Sequence, residues 1–195
     1  MQQNMTAVIL AGGQARRMGG VPKAFLTFKG ETFIQRKIRL LSATDLIEEI
    51  IIVVSHPREF ENLPAVIIKD EIPGKGPLMG LYSGLKASSS EINFITTVDS
   101  PFCSLELVRY LAENLGSNDV HVPMWRGYVE PLFGVYTRKC LPGIEENLEK
   151  RKVVSFYPEV EVKYTEASKV AEYDPGGASF LNINTWEDYS ALAEN

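Results

Sequence analysis

Histidine and cysteine are scarce in this chain, with two of each among 195 residues. Cys103 and Cys140 form no CxxC pair and have no histidine cluster beside them, so neither a disulfide framework nor a zinc site is expected. Two reduced thiols in a cytoplasmic protein is the reading that follows. His56 and His121 stand apart and read as surface or structural residues rather than catalytic ones. No apolar run is long enough to cross a bilayer. The first five residues are short and polar, and the apolar run after them ends at once in glycines, which is not a signal-peptide pattern. Positive charge is also short: 20 Lys and Arg against 25 Asp and Glu leave a net charge of -5, which disfavours non-specific binding to nucleic acid. Two phosphate signatures are missing too, the Gly-Lys-Ser/Thr of a Walker A loop and the GxGxxG of a dinucleotide fold.

What is present is an alternation of short apolar runs with helix-like segments. Residues 6–10 read as a buried strand. Residues 50–54 form a β-branched run, the mark of a strand covered on both faces. Strands are also expected at 65–68 and 92–98. Residues 31–43 carry a helical stripe of Phe33, Ile34, Ile38 and Leu41. Residues 78–87 read as a helix, and Ser104 caps another that carries Leu107, Val108 and Leu111. The alternation predicts a three-layer α/β/α, Rossmann-like, mostly parallel sheet. Further on, 120–124 and 132–136 read as strands flanking an Arg126-Gly127 turn, 141–151 as a helix, 180–183 as a strand and the region from Thr185 as a last helix. No repeat, low-complexity tract or linker interrupts the chain, so residues 1–195 read as one domain.

Four segments carry chemistry. The first, residues 10–26, reads LAGGQARRMGGVPKAFL. Gly12 and Gly13 fall where a strand should feed a helix, and glycine there lets backbone N–H groups approach an anion. Arg16, Arg17 and Lys23 add cations, so the loop suits a polyphosphate. A plain turn with solvated basic residues is the bland alternative. The second, Asp99 in Val98-Asp99-Ser100-Pro101-Phe102, ends a strand, where ligands gather in open α/β sheets. One carboxylate there suffices for Mg2+ shared with triphosphate oxygens; the alternative is a turn carboxylate. The third, Asp70, also follows a strand and suits a base or ribose, or simple solvation. The fourth, Asn182 and Asn184, alternates along an expected strand and would point to one face; one of Asn184 and Thr185 is expected to cap the last helix.

The loop resembles the LAGGxxxRMGxxK signature of nucleotidyltransferases with a Rossmann-like sheet. Within that group the chain is most similar to the molybdenum cofactor guanylyltransferases. GPLMGLYSGL resembles their GPLAG segment, VDSPF their D-x-P segment, and FLNINTWEDY their terminal N-x-N-T segment. The resemblance implies transfer of GMP from GTP to the terminal phosphate of molybdopterin-bound molybdenum cofactor, with release of pyrophosphate and Mg2+ as cofactor. It implies that Leu10, Ala11, Gly12, Gly13, Lys23, Asp70 and Asp99 bind the nucleotide. Asp99 would hold the metal, and Asn182 and Asn184 would face the pterin. Arg16, Lys23 and Asp99 form the expected catalytic set. Transient contact with proteins that supply the cofactor or receive it is a further implication; membrane and nucleic acid are not expected partners. Two positions depart from the family. Pro22 precedes the lysine where the guanylyl family commonly has Asp, and a Pro-Lys pair is more usual in cytidylyl and sugar-nucleotide relatives. Ser55-His56 stands where the family often has Asn.

The reaction needs no strong general base, because the attacking phosphate oxygen is already anionic. Positioning and charge neutralisation must supply the catalysis. A cytidylyltransferase acting on a pterin, sugar or alcohol phosphate is the nearest rival. A non-catalytic nucleotide-binding protein that delivers cofactor is the rival from another class.

Overall fold

The computed structural model describes residues 4–12, 22–72 and 74–193. Its centre is a sheet of β5 (Val66–Lys69), β4 (Ile47–Val54), β1 (Met5–Leu10), β6 (Ile92–Thr97), β9 (Gly134–Thr137), β7 (Val120–Trp125) and β10 (Val162–Thr165), in that lateral order. β1 pairs in parallel with both β4 and β6. β9 alone runs against its neighbours in this row, so the sheet is mostly parallel as expected. A short β8 (Tyr128–Val129) folds back on β7.

Two packed layers cover the faces. Alternation along β1 sends Met5, Ala7 and Ile9 to one layer and Val8 and Leu10 to the other, as the two-residue period of a strand requires. The first layer holds α1 (Phe33–Ser42), α3 (Leu105–Glu113), α5 (Ala167–Tyr173) and α6 (Trp186–Ala193). The second holds α2 (Pro77–Ala87) and α4 (Leu141–Asn147). α2 lies very close to the sheet. A Cβ on Gly84 would come within 2.3 Å of Val8 Cγ1, and one on Gly80 within 3.3 Å of Leu10 Cδ2. The glycines of the GPLMGLYSGL segment are therefore spaced to seat a helix on the central strand.

Several expected boundaries move, each for a local reason. The helix expected over 31–43 starts at Phe33, because Lys29 and Gly30 both take positive φ and turn the chain into a hairpin of β2 (Thr27–Phe28) and β3 (Glu31–Thr32). Thr32 then closes a capping box with Gln35. Arg126 and Gly127 form a similar positive-φ turn, but it joins β7 to β8. β9 follows only at Gly134, not at residue 132. The helix expected over 141–151 ends at Asn147 and tightens into a 3-10 turn, Leu148–Lys150. The strand expected at 180–183 does not form. β6 already has β1 and β9 on its two sides, so this segment finds no ladder. Its backbone tie there is the Ile183 N–H donating to the Asp99 carbonyl at 2.8 Å.

Candidate active site

The carboxyl ends of β5, β4, β1 and β6 lie along one edge, carrying in order Asp70, Ser55, Ala11-Gly12 and Asp99. From β1 the chain moves outward through β4 and β5, then returns across α2 to β6 on the other flank. The reversal places a crevice at the ends of β1 and β6, where open α/β sheets bind ligands. The ends are held together beyond the ladders: Ala11 N–H donates to the Val53 carbonyl, Val98 N–H to that of Leu10 and Asp70 N–H to that of Val54. Gly12 sits beside Ser55, whose Oγ would be 3.6 Å from a Cβ at that position. Gly13 and Arg16 lie outside the described residues.

Asp99 is fixed from several directions. Two neighbours on α1 reach the turn after it: Arg36 Nε donates to the Pro101 carbonyl at 3.2 Å and Lys37 Nζ to that of Phe102 at 3.0 Å. Ser100 Oγ donates to the Ser179 carbonyl at 2.6 Å, and Ser104 N–H donates to Ser179 Oγ at 2.8 Å. Asp174 in turn accepts from the N–H groups of Ala178 and Ser179. The Asp99 carboxylate is left half satisfied. Oδ2 lies 3.7 Å from Lys23 Nζ, while Oδ1 is buried with no hydrogen-bond partner among the described residues. An orphan buried carboxylate oxygen is costly unless something else supplies its partner.

Lys23 opens a 3-10 turn, Lys23–Phe25, preceded by Pro22 at φ -62°. The Pro22 carbonyl accepts from Phe25 N–H, so Pro22 sets the turn that aims the lysine. Lys23 Nζ donates to Asn184 Oδ1 at 2.8 Å. The two expected asparagines do flank one site, although not on a strand. Ile183 is buried between exposed Asn182 and half-buried Asn184, so an extended backbone without a ladder preserves the alternation. Thr185 does the capping: its Oγ1 accepts from Asp188 N–H. Asp188 accepts in return from the N–H groups of Asn184 and Thr185, both at 2.9 Å. These bonds hold the Asp188 carboxyl below its usual range and leave the Asn184 side chain to Lys23.

Asp70 is buried, and burial pushes its carboxyl up, opposed by hydrogen bonds from Ser83 and the Glu71 N–H. Ser83 Oγ, on α2, lies 3.1 Å from Asp70 Oδ1. Sequence reasoning missed this serine, and it missed Lys37. Lys37 occupies a stripe position on α1 between Ile34 and Ile38, is fully buried, and also reaches Thr96 Oγ1 at 3.3 Å. Burial lowers its pKa. The available signal was a cation inside an apolar stripe. Glu130 was missed too. It lines a cavity of about 140 Å³ together with Asp99, Thr97, Asn182, Phe133 and Phe180. A larger hollow of about 380 Å³ between Thr44 and Arg109 contains none of these residues.

The cysteines and histidines add no competing chemistry. Burial pushes Cys103 up to about 11 and Cys140 up to about 12, so both thiols are protonated at neutral pH. His121 is buried with both ring nitrogens engaged, and His56 is exposed.

Fold and site together define an α/β protein of the mostly parallel type whose strand-end carboxylate, Asp99, and lysine, Lys23, meet at the switch-point crevice, the arrangement of a nucleotidyltransferase-like site. Residues 7–163 match the model of the MobA-like NTP transferase domain. A protein of Carboxydothermus hydrogenoformans named "Probable molybdenum cofactor guanylyltransferase" is 35% identical, with 97% of this chain and 95% of its own covered. A Methanosarcina mazei protein of the same name is 36% identical, with 94% and 87% covered. The crystal structure of molybdopterin-guanine dinucleotide biosynthesis protein A from Archaeoglobus fulgidus superposes with a TM-score of 0.82 at 25% identity, covering 97% of each chain. The chain belongs to the MobA-like NTP transferase family.

Proposed function

We propose that the chain transfers GMP from GTP to the terminal phosphate of molybdopterin-bound molybdenum cofactor, using Mg2+. The observation that carries this reading is the half-satisfied Asp99 carboxylate beside Lys23 and Asn184 at the sheet's switch point. The names of full-length relatives supply the nucleotide and the acceptor.

A magnesium ion fits the donor set. Among the described residues no group of three or more His, Cys, Asp or Glu side chains gathers into a cage. Magnesium binds through one or two carboxylates plus substrate phosphates and waters, and Asp99 Oδ1 is an oxygen still lacking a partner. Asp99 is the residue that would hold it, and the ion would offset negative charge on the triphosphate.

In the reaction an acceptor phosphate oxygen bonds to the α-phosphorus as the bond to the β-phosphate oxygen breaks, and pyrophosphate leaves. Lys23 is placed to neutralise charge on the phosphates once it exchanges its contact with Asp99. Arg16 is assigned to the leaving pyrophosphate from its place in the loop. Gly12 and Ser55 flank the phosphate side, and Asp70 the base or ribose.

Pyrophosphate release with molybdenum cofactor and GTP, CTP, ATP or UTP in turn tests the reading. GTP should support release with Mg2+ and fail when the metal is chelated. Preference for CTP would make the chain a cytidylyltransferase, and nucleotide binding without release would make it a delivery protein. Asp99→Ala should cut turnover about 100-fold or more, as losing a group aimed at developing charge does. Lys23→Ala should weaken GTP binding and slow transfer; unchanged kinetics would remove it from the site.

A further inference from the structure

We propose that Glu130 is a specificity-determining residue for the acceptor, a carboxylate that accepts the adjacent N–H donors of the pterin's aminopyrimidinone edge. This rests on the acceptor being a pterin.

Placement is the first ground. Glu130 starts the short connection from β8 to β9 and is rigidly tied. Its N–H donates to the Pro123 carbonyl at 2.9 Å, and its carbonyl accepts from Phe133 N–H at 3.1 Å. The Tyr136 hydroxyl donates to the Pro131 carbonyl at 2.6 Å. Glu130 lines the same cavity as Asp99 and Asn182. That cavity lies on the β6–β9 flank, while Gly12, Ser55 and Asp70 lie toward β4 and β5.

The lack of a partner is the second. Glu130 is partly buried, and among the described residues its carboxylate has no hydrogen bond and no ion pair. Burial accordingly pushes its carboxyl above the usual range. A partly buried carboxylate on a fixed backbone, with no protein donor among the described residues, is what a ligand bearing N–H groups would complete.

Charge and shape supply the third. A phosphate would be repelled by Glu130, and among the described residues the lining brings no cation to offset it; its other polar members are Thr96, Thr97, Ser100, Ser179 and Asn182 besides Asp99. The remaining wall is apolar and partly aromatic, with Phe133 and Phe180 edge to face at 5.4 Å. Flat rings carrying donors match such a wall, and a carboxylate accepts from amino and imino groups of nucleobase-like rings.

Guanine carries a similar edge, so the test must separate the two ligands. The probes are 6-hydroxymethylpterin phosphate and its lumazine counterpart, in which an oxygen replaces the 2-amino group. Both are titrated by fluorescence against the full chain with Mg2+, and GTP and ITP binding are measured in parallel. Wild type should favour the pterin roughly tenfold or more. Glu130→Ala and the isosteric Glu130→Gln should lose most of that preference while keeping the wild-type GTP/ITP ratio and thermal midpoint. Discrimination that survives in a folded Glu130→Gln variant overturns the proposal. So does equal or absent binding of the two probes by wild type, or an effect confined to the GTP/ITP ratio. Guanylyl transfer to molybdenum cofactor is assayed separately: transfer without discrimination refutes Glu130's role alone, and discrimination without transfer refutes the guanylyltransferase reading alone.

Discussion

Acid should destabilise this protein through His121 before the carboxyls held below their usual range are involved. The side chain is fully buried on β7. Its Nδ1 lies 2.8 Å from the Leu111 carbonyl, which can only accept, so Nδ1 carries the proton. Nε2 must then accept from Thr165 Oγ1, 2.7 Å away. Burial, with Lys163 nearby adding to it, lowers the pKa from 6.5 to about 4 against the bond to Leu111. The folded value is below the unfolded one. Between pH 6.5 and 4 the unfolded chain therefore binds a proton that the native state refuses, and stability falls as pH falls through that window. The full difference is worth about 3 kcal/mol, at about 1.4 kcal/mol for each tenfold in proton affinity. Of this, about 2 kcal/mol should be lost between pH 7 and 5. Carboxyls held below their usual range, such as those of Glu31 and Asp188, contribute only at lower pH. Buried Asp70 and Glu130, pushed the other way, are common to wild type and variant and cancel in the comparison. The assay is urea denaturation of wild type and His121→Gln at half-unit steps from pH 7.5 to 5. The variant starts lower, but its profile should be flatter by about 2 kcal/mol. Parallel profiles would refute the assignment, as would an NMR titration showing the imidazole charged at pH 6.

Three other perturbations probe the frame that holds the site. Gly84→Ala would drive a Cβ to 2.3 Å from Val8 Cγ1 and should cost about 1–3 kcal/mol of overpacking; an unchanged denaturation midpoint would show that α2 moves freely on β1. Lys37→Met removes a buried cation and its bonds to Phe102 and Thr96, so turnover should fall more than GTP binding. It should also flatten the alkaline limb of the stability profile, because a lysine with a lowered folded pKa makes wild type gain stability as pH rises toward the ordinary lysine value. Ser100→Ala deletes the 2.6 Å bond to Ser179 and should lose about 1 kcal/mol of stability and raise the acceptor's KM; equal kinetics would separate the terminal segment from the acceptor.

The parallel half of the sheet was legible in the sequence because its strands are mostly apolar runs rich in β-branched residues. Residues 50–54 and 92–98 needed no partner to be recognised. Boundaries failed where one turn decided them. Lys29-Gly30 and Arg126-Gly127 make two-residue hairpins; the first takes Glu31 and Thr32 from the expected helix into β3, and the second joins β7 to β8 and not to the strand expected from residue 132. Asp70 and Asp99 were legible as candidates because strand-end position carries meaning in an open sheet. Ser83, Lys37 and Glu130 were not, since each matters only through a neighbour brought from elsewhere: Asp70 to Ser83, the Phe102 carbonyl to Lys37, the cavity wall to Glu130.

Asn182 and Asn184 keep the alternation expected of them although its premise, a strand, fails. The expected strand is absent, yet what the assignment needed was extended backbone, not a ladder. Ile183 goes into the core and its N–H is taken by the Asp99 carbonyl, so its two neighbours must face away from the core, beside the carboxylate. Asp188 holds the Asn184 backbone, and Asn184 holds Lys23. Residues 179–188 thus connect α6 to Lys23 and, through Ser179 and Ile183, to the Asp99 turn. Lys23 precedes α1 and Asp99 follows β6 in mid-chain, yet both take contacts from residues 183–184. A variant such as Asp188→Ala should therefore disturb Lys23 and Asp99 together: GTP affinity and metal activation should weaken in step. Loss of one with the other unchanged would show that the two residues are held independently.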